Sequence, residues 1–334
     1  MKTTARSTPN IAFIKYWGNR NNALRLPVTD SLSMTLNQPG VEITIDHSDK
    51  LSVKSFTMEN EREITGKNLD RFQNIVDLTK QYLEKIGVSD ALPGKLAIEI
   101  NSHIPPAVGL ASSAAIFSCL ARAIQGLIIE NIELDDEQTS IIARLGSGSA
   151  SRSIFGGFSA LDEGKGNEID SSRSRQIADE NHWNLYDIVI IPSHEEKKIG
   201  STEGHAIANT SPHFADRIEA IRTRRQQECI DSILNKDFEK LQTVSEEDAL
   251  DMHRVMETST PPLKYLSDET HRIIKEVESL READHLPVFY TMDAGPTVHL
   301  ICTDEAEKAV RQYANSQNNY TILEARVGPG AKLL

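Results

Sequence analysis

The sequence predicts an α+β protein with a strand-rich first half and a helix-rich second half that strands close. Over residues 96–101, apolar residues alternate with small or polar ones, which is typical of a half-buried strand. Between residues 214 and 283, three segments have the apolar spacing of helices instead. Apolar runs of the β type then return at 288–291 and 298–303. Strands and helices that segregate along a chain in this way indicate the α+β class.

The first half combines short strands with helices. The clearest helix covers residues 70–86, because Phe72, Ile75 and Val76 recur at helical spacing and Gly87 ends the segment. Other apolar runs bounded by turn residues predict the remaining elements, which are strands at 10–16, 41–46 and 185–192 and helices at 111–129 and 135–145.

The second half is mainly helical. Apolar periodicity predicts helices at 214–234, 238–256, 267–283 and 305–316, and strands at 288–291, 298–303 and 320–327. No change in composition marks a linker. We place the boundary between an N-terminal lobe, residues 1–190, and a C-terminal lobe, residues 191–334, near residue 190.

The charge balance narrows the classes of partner. The chain has 334 residues and a formal net charge of -13, whereas proteins that bind nucleic acids or anionic membranes carry an excess of Lys and Arg. The most apolar stretch, 108–129, contains Arg122 and Gln125 and predicts a buried helix rather than a membrane span. The N-terminal residues lack the apolar core of a signal peptide, so we expect a cytoplasmic protein.

The three cysteines, Cys119, Cys229 and Cys302, lie far apart and are odd in number. No pair has the spacing of zinc ligands, and three thiols cannot form a complete disulfide framework. Reduced thiols in the cytosol are therefore the expected state.

A segment of small residues, 105–115, follows a predicted strand and opens a long apolar helix. Gly and Ala allow a ligand to approach the backbone, and N–H groups at a helix N-terminus attract anions. Ser112 and Ser113 add hydroxyl groups that can donate hydrogen bonds or bind magnesium. Composition alone leaves a phosphate site and a tightly packed helix start equally open.

A second run of small residues, 146–153, contains Gly and Ser residues followed by Arg152. An arginine can bind a carboxylate or a phosphate through two parallel hydrogen bonds. The Gly and Ser residues by themselves favour a flexible surface turn. The apolar Ile154 and Phe155 that follow argue against disorder.

Lys15 ends the apolar run that begins at Asn10, with Tyr16 and Trp17 directly after it. A lysine in an apolar strand is either exposed at an edge or buried with an anionic partner. Considered alone, the exposed position is the safer prediction.

Asp293 lies between an apolar strand and the turn at Gly295 and Pro296. A carboxylate in this place commonly caps the turn, and the local pattern favours that role. It is also a suitable place for a catalytic carboxylate at the end of a strand.

Six segments in a fixed order carry a family resemblance: NIAFIKYWGNR, LPVTDSLSMTL, PPAVGLASSAA, LGSGSASRSIFGGF, GSTEGHAIANTSP and TMDAGP. Together they resemble the GHMP superfamily of small-molecule kinases and, within it, the group of mevalonate diphosphate and phosphomevalonate decarboxylases. They span residues 10–296, which is nearly the whole chain. The resemblance implies a GHMP kinase fold of two lobes, with the active site in the cleft between them.

The resemblance implies that ATP is the co-substrate, with Mg²⁺ bridging its phosphates. The phosphate loop would be residues 106–115, and Ser112 or Ser113 could contribute a magnesium ligand; no metal ligand is assigned firmly. The residues expected to bind ATP are Ala107, Val108, Gly109, Leu110, Ala111, Ser112 and Ser113.

The resemblance also implies the catalytic residues. Asp293 would orient the C3 hydroxyl of a phosphorylated mevalonate, Lys15 would balance that carboxylate, and Arg152 would hold the C1 carboxylate. The residues expected to contact the substrate or its phosphates are Tyr16, Trp17, Asn19, Arg71, Ser147, Gly148, Ser149 and Thr202. The product would be an isopentenyl phosphate or diphosphate of isoprenoid biosynthesis, and the only protein partner considered is a second copy in a homodimer.

Two positions depart from the family pattern. Asn19 replaces the lysine of the usual KYWGKR, where the family meets the 5-diphosphate, and His205 stands where methionine is common. Loss of one cation favours a less charged tail, so we expect a slight preference for (R)-mevalonate 5-phosphate over the 5-diphosphate. The change at His205 has no explanation at this stage.

Two other functions remain open. The first is a kinase that phosphorylates mevalonate at C3 without decarboxylation, and the second is a ligand-binding protein of the same fold without catalysis. The presence of Asp293, Lys15 and Arg152 together argues against both.

Overall fold

A computed structural model describes residues 2–57, 60–104, 112–192, 200–317 and 319–334. The strands in these ranges are β1 Thr3–Ser7, β2 Asn10–Ile14, β3 Asn19–Asn21, β4 Leu26–Pro27, β5 Ser31–Thr35, β6 Val41–His47, β7 Ser52–Phe56, β8 Glu61–Glu63, β9 Leu96–Ser102, β10 Phe158–Leu161, β11 Ser174–Ala178, β12 Tyr186–Ile191, β13 Val288–Thr291, β14 Val298–Cys302, β15 Thr321–Arg326 and β16 Lys332–Leu333. The α-helices are α1 Gly66–Lys85, α2 Ser112–Leu127, α3 Asp136–Gly146, α4 Ser201–Ile207, α5 Phe214–Ala220, α6 Gln226–Asn235, α7 Phe238–Thr258, α8 Asp268–Asp284 and α9 Asp304–Ser316.

The first sheet has the strand order β16-β1-β6-β9-β7-β8. Its pairs are antiparallel except for β7 with β9, which run parallel. The apolar face of α2 packs against β1 and β6 and fills the core of the N-terminal half. The C-terminal β16 returns to pair with β1, so both chain ends belong to this sheet.

The second sheet has the order β11-β10-β5-β2. All five residues of β2 are buried, which agrees with the unbroken apolar run in the sequence. The pairing of β2 with β5 is irregular between Ala12 and Ile14. This irregularity lies directly before Lys15 and releases the backbone from the ladder at that point.

The third sheet has the order β13-β14-β12-β15, with every pair antiparallel. Helices α8 and α9 cover it and share its apolar core. Helix α7 packs against both β2 of the second sheet and β13 of the third. Phe13 and Phe289 meet edge to face there, with ring centroids 5.8 Å apart, so the two halves of the chain share one apolar cluster.

The predicted α+β architecture is present. The predicted strand at 10–16 ends at Ile14, and the prediction did not include α4 or the strands β1, β3, β4, β5, β7, β8, β10, β11 and β16. Three further details differ from the sequence-based expectations. The predicted helix at 214–234 is interrupted by a π-helical segment at Ile221–Arg225. The run after Gly146 is no flexible turn, since Gly148–Ile154 forms a buried 3₁₀ helix. Finally, β12 pairs with β14 and β15; the lobe boundary stays a prediction, and this pairing favours a position before Tyr186 rather than near residue 190.

Among the described residues, no helix is both long enough and apolar enough to span a bilayer.

Candidate active site

Lys15 and Asp293 form an ion pair at the meeting point of the second and third sheets. Lys15 follows β2, Asp293 follows β13, and Nζ of Lys15 donates to Oδ1 of Asp293 over 2.8 Å. The lysine side chain is 2% exposed and that of Asp293 is 31% exposed. The carboxylate of Asp293 is therefore accessible to solvent, whereas the ammonium group that binds it is buried.

Burial lowers the pKa of Lys15, and the charge of Asp293 opposes this shift. Exposure was the safer prediction for Lys15 considered alone, and that prediction is wrong: its partner lies 278 residues away in the sequence. The local expectation that Asp293 caps its turn is only partly met. Its backbone oxygen accepts from the N–H of Gly295 over 2.7 Å, while its carboxylate accepts from Lys15.

Arg152 is buried, and neutral oxygens hold its guanidinium group. Nε donates to Oγ of Ser33 over 2.9 Å, Nη1 to Oγ of Ser31 over 2.6 Å, and Nη2 to Oδ1 of Asn10 over 3.2 Å. Among the described residues no carboxylate lies within ion-pair distance of it. A buried cation held only by neutral groups retains most of its attraction for an anion.

The same guanidinium group interacts electrostatically with Lys15 and Asp293. The charge of Asp293 acts to raise the pKa of Arg152, while burial, the larger effect, lowers it to about 10. The charge of Arg152 in turn contributes to lowering the pKa of Lys15. One carboxylate, one ammonium and one guanidinium group thus share one site.

A row of hydroxyl groups leads from the start of α2 to the 3₁₀ helix. Oγ of Ser113 lies 3.2 Å from Oγ of Ser147, which lies 3.3 Å from Oγ of Ser149. Ser112 is exposed at the first position of the helix as described. Hydroxyl oxygens and helix N–H groups at this place suit phosphate oxygens and the magnesium ion that accompanies them.

Tyr16 lies against the backbone of Gly148. A side chain at Gly148 would collide with the Tyr16 ring, so the close approach requires glycine. The hydroxyl of Tyr16 donates to Oδ1 of Asn19, and Nδ2 of Asn19 donates to Oδ1 of Asn22 over 3.0 Å. Asn19 is therefore held within its own loop.

His205 on α4 contacts the loop that follows Lys15. Its ring centroid lies 4.4 Å from that of Tyr16 and 4.6 Å from that of Trp17, and Nδ1 accepts from the N–H of Gly18 over 2.9 Å. Trp17 is 2% exposed and belongs to a small apolar cluster with residues of α7. Direct contact between Trp17 and the substrate stays a prediction. In the structure the buried Trp17 ring packs against residues of α7 and anchors the loop.

Three further arginines lie in this part of the structure: the charges of Arg25 and Arg144 act on Tyr16, and Arg71 contacts Gly146. Arg71 donates twice to the backbone oxygen of Gly146, over 2.7 and 3.2 Å, and lies 4.2 Å from the centroid of Phe117. Burial lowers the pKa of Arg71, Arg25 and Arg144, and the Arg25 charge adds to the effect on Arg71. Such lowering is the expected response of guanidinium groups that are buried.

These features of sequence and geometry match known proteins. The family model described as the diphosphomevalonate decarboxylase-like N-terminal domain matches residues 7–173, and that of the mevalonate 5-diphosphate decarboxylase C-terminal domain matches residues 187–325. Together the two models cover most of the chain.

The chain belongs to the diphosphomevalonate decarboxylase family.

Individual members support this assignment over most of their length. The diphosphomevalonate decarboxylase of Candida albicans is 35% identical over 305 residues, covering 90% of this chain and 83% of its own. The crystal structure of mevalonate diphosphate decarboxylase from Staphylococcus aureus aligns with a TM-score of 0.87 at 30% identity, covering 100% and 98%. A structure described as MDDEF in complex with MVAPP, AMPPCP and magnesium aligns with a TM-score of 0.87 at 28% identity, covering 100% and 99%.

Membership in the diphosphomevalonate decarboxylase family confirms the predicted family and GHMP kinase fold, and with them the prediction of an enzyme of the carboxy-lyase class. The roles of individual residues stay predictions. The structure brings together Lys15, Asp293 and Arg152, with Tyr16, Ser147, Gly148 and Ser149 beside them.

For the other predicted residues, the structure shows no hydrogen bond to the side chain of Lys15 or Arg152 among the described residues. Thr202 lies exposed on α4, three positions before His205. Most of the predicted ATP loop, Ala107, Val108, Gly109, Leu110 and Ala111, lies outside the described residues. Arg20, directly after Asn19, donates to the backbone oxygens of Pro27, Glu163 and Gly166.

Sequence reasoning missed two groups of residues in this candidate site. Arg25 and Arg144 were not considered, because neither stands in a recognisable pattern of small or hydroxyl residues. The polar side chains that contact the backbone beside Lys15 and Asp293, which are Asp248, Arg217 and His253, were also missed. They lie within predicted helices, and only their burial in the folded protein distinguishes them from ordinary exposed helix residues.

Proposed function

We propose that this protein catalyses the ATP-dependent decarboxylation of (R)-mevalonate 5-diphosphate through phosphorylation at C3. The observation that carries the proposal is the position of Arg152, a buried cation without a carboxylate partner among the described residues, close to the Lys15–Asp293 pair. A substrate with a hydroxyl group and a carboxylate on neighbouring atoms would meet both.

ATP is the co-substrate and Mg²⁺ accompanies it. The hydroxyls of Ser112 and Ser113 and the N-terminal end of α2 provide groups that bind phosphate oxygens. Hydroxyl and phosphate oxygens are also the ligands that magnesium prefers. The relative that binds AMPPCP and magnesium has the same fold along its whole length.

The first step is transfer of the γ-phosphoryl group of ATP to the C3 hydroxyl. A tertiary alcohol is a weak nucleophile, so its orientation decides the rate. The carboxylate of Asp293 accepts the hydroxyl proton, and Lys15 fixes that carboxylate in place over 2.8 Å. The ammonium group of Lys15 also offsets negative charge that develops on the transferred group.

The second step is loss of phosphate and CO₂. As the C–O bond at C3 breaks, positive charge develops on C3, and the electrons of the C1–C2 bond form the double bond as CO₂ leaves. Arg152 fixes the orientation of the substrate carboxylate through its planar guanidinium group. Hydrogen bonds to three neutral oxygens hold that guanidinium group in place. The products are ADP, inorganic phosphate, CO₂ and isopentenyl diphosphate.

The choice of the diphosphate over the monophosphate depends on the charge around the substrate tail. The sequence-based preference for (R)-mevalonate 5-phosphate rested on Asn19, and the names of the relatives do not support it. The charges of Arg25 and Arg144 act on Tyr16, and that of Arg25 also acts on Arg71. Several positive charges therefore remain close to the loop that contains Asn19, and they can offset the missing lysine electrostatically. We therefore favour the diphosphate.

The test is release of CO₂ and ADP by purified protein given ATP, Mg²⁺ and each of mevalonate, its 5-phosphate and its 5-diphosphate. We expect equal amounts of CO₂ and ADP, and the highest kcat/KM with the diphosphate. ADP without CO₂ would instead indicate a C3 kinase, and no turnover with any of the three would indicate a ligand-binding protein. A higher kcat/KM with the monophosphate would overturn the proposed substrate.

A homodimer and a cytoplasmic location stay predictions. Size-exclusion chromatography with light scattering measures the first, because a dimer has twice the 37.1 kDa mass of the chain.

A further inference from the structure

We propose that Asp248, Arg217 and His253 are positioning residues that set the distance between Lys15 and Asp293. Asp248 and His253 lie on α7 and Arg217 lies on α5, and we name these three residues the clamp. None of them touches the reacting groups, and each contacts the backbone beside one of the two catalytic side chains. The activity expected of the clamp rests on the proposed function.

Asp248 and Arg217 hold both backbone groups of Lys15. The N–H of Lys15 donates to Oδ2 of Asp248 over 2.7 Å, and Nη2 of Arg217 donates to the carbonyl oxygen of Lys15 over 2.9 Å. The two side chains also bond each other, with Nη2 at 2.9 and 3.1 Å from the carboxylate oxygens of Asp248. The peptide groups on both sides of the catalytic lysine therefore have fixed directions.

The strand ladder cannot fix Lys15 in the same way. Regular pairing of β2 with β5 is broken between Ala12 and Ile14, and the strand ends at Ile14. A backbone N–H and a carbonyl group buried at this point need other partners. Charged side chains that arrive from α7 and α5 provide them.

Stability alone does not account for an ion pair in this place. The side chain of Asp248 is 0% exposed and that of Arg217 is 1% exposed, and Arg225, at 6%, also bonds Asp248 over 3.2 Å. Desolvation of such charges largely cancels the attraction between them, so the stabilising part of the arrangement is mainly its two hydrogen bonds to the backbone of Lys15. What the charged arrangement adds is a fixed geometry at Lys15.

The same helix also reaches the other catalytic residue. His253 is five residues after Asp248 on α7, and its Nε2 lies 3.2 Å from the backbone oxygen of Asp293. A carbonyl oxygen only accepts, so Nε2 carries the proton. Burial lowers the pKa of His253 to about 3, which keeps the ring neutral, with Nδ1 lacking a partner among the described residues.

Helix α7 thus connects to Lys15 at one point and to Asp293 at another. Five residues of an α-helix correspond to a rise of about 7.5 Å. The helix also packs against both strands that carry the catalytic residues, β2 and β13. One rigid element therefore sets the relative position of two groups that come from opposite halves of the chain.

The first experiment replaces the charged pair with apolar residues in the double variant Asp248→Leu with Arg217→Met. Arg225 keeps Asp251 and Glu247 as partners, so no cation is left unpaired. We expect kcat to fall by about tenfold to a hundredfold, since small misplacements of reacting groups have effects of this size, with KM for ATP changed less than about threefold. Hydrogen exchange at the Lys15 amide, followed by mass spectrometry of the peptide around it, should become faster.

The matched control is Arg122→Met with Asp136→Leu, which removes a partly buried ion pair that contacts neither Lys15 nor Asp293. We expect this control to keep kcat and the exchange rate of Lys15. If Asp248→Leu with Arg217→Met retains the kcat per folded molecule and the slow hydrogen exchange of the Lys15 amide, the proposed role of the clamp is overturned. An inactive wild type would instead overturn the proposed function, and the exchange measurement would still decide the clamp.

His253 gives a second test that does not depend on folding of the double variant. His253→Gln keeps a side-chain N–H close to the position of Nε2, whereas His253→Leu removes it. We expect His253→Leu to lower kcat by about tenfold and His253→Gln to restore most of it. Equal kcat in both variants, corrected for the folded fraction, would overturn the role of His253.

Discussion

The backbone N–H of Gly18 donates to Nδ1 of His205 over 2.9 Å, and this hydrogen bond joins helix α4 to the loop that follows Lys15. An imidazole nitrogen accepts a hydrogen bond only when it carries no proton, so this contact requires neutral His205. Burial lowers the pKa of His205 to about 3, and the charges of Arg25 and Arg217 add to the shift. His205 therefore takes part in the site as a neutral acceptor.

This arrangement predicts a dependence of stability on pH. In the unfolded chain a histidine has a pKa near 6.5, so below that pH the unfolded state binds a proton that the folded state does not bind until about pH 3. The contribution of neutral His205 is complete above about pH 6.5 and decreases as the pH falls toward 3, by up to about 1.4 kcal/mol per pH unit. His253 has the same direction.

The measurement is the free energy of unfolding in urea at several pH values between 7.5 and 4.5, for the wild type and for His205→Met. All other groups are common to both proteins, so the difference between the two curves isolates His205. We expect the variant to lose less stability on acidification. Parallel curves would show that the pKa of His205 is the same in both states.

Asp293→Asn should abolish turnover while preserving the fold. The amide cannot accept the hydroxyl proton, and general-base catalysis accounts for about a hundredfold or more in rate. We expect kcat to fall by at least this factor, with little change in KM for ATP. The control Asp304→Asn removes an exposed carboxylate at the start of α9 and should leave kcat unchanged. Near-normal kcat in folded Asp293→Asn would exclude the carboxylate from the mechanism.

Arg152→Lys should not behave as a conservative change. A lysine cannot keep the bonds to Ser31, Ser33 and Asn10 together, and its single ammonium group no longer fixes the direction of the substrate carboxylate. We expect kcat/KM for CO₂ release to decrease about tenfold or more, which corresponds to about 1.4 kcal/mol.

The comparison is Arg175→Lys, where the arginine is exposed and pairs with Asp162 on the surface. This substitution should have no effect on kcat/KM. If Arg152→Lys also retains the kcat/KM of the wild type, another group holds the substrate carboxylate.

Asn19→Lys tests which residues select the substrate tail. The new ammonium group would replace a neutral hydrogen bond, worth about 1 kcal/mol, by a charge-assisted one of about 1.5–3 kcal/mol. We expect kcat/KM for the diphosphate to rise relative to that for the monophosphate, by up to about tenfold.

The control Asn235→Lys adds the same charge at the exposed end of α6 and should leave the ratio unchanged. An unaltered ratio in Asn19→Lys as well would show that residue 19 does not select the substrate tail.

Local patterns in the sequence were sufficient for most of the elements. Alternation over 96–101 and the apolar run at 10–16 predicted β9 and β2, although β2 ends at Ile14, because the side-chain pattern of a strand is visible within a few residues. The predicted helix at 214–234 was the weakest result, since the π-helical segment at Ile221–Arg225 keeps the helical apolar spacing and leaves no local signal.

What the sequence determined by itself was the family and the chemical inventory of the site. Segments of fixed order contain Lys15, Arg152 and Asp293, and each is identifiable from its neighbours. The tertiary structure decided how these groups behave. Lys15 looked like an exposed strand residue until Asp248 and Asp293, 233 and 278 residues away, were found to contact it. Burial, ion pairing and pKa depend on atoms within a few ångströms, and the fold alone determines which distant residues supply them.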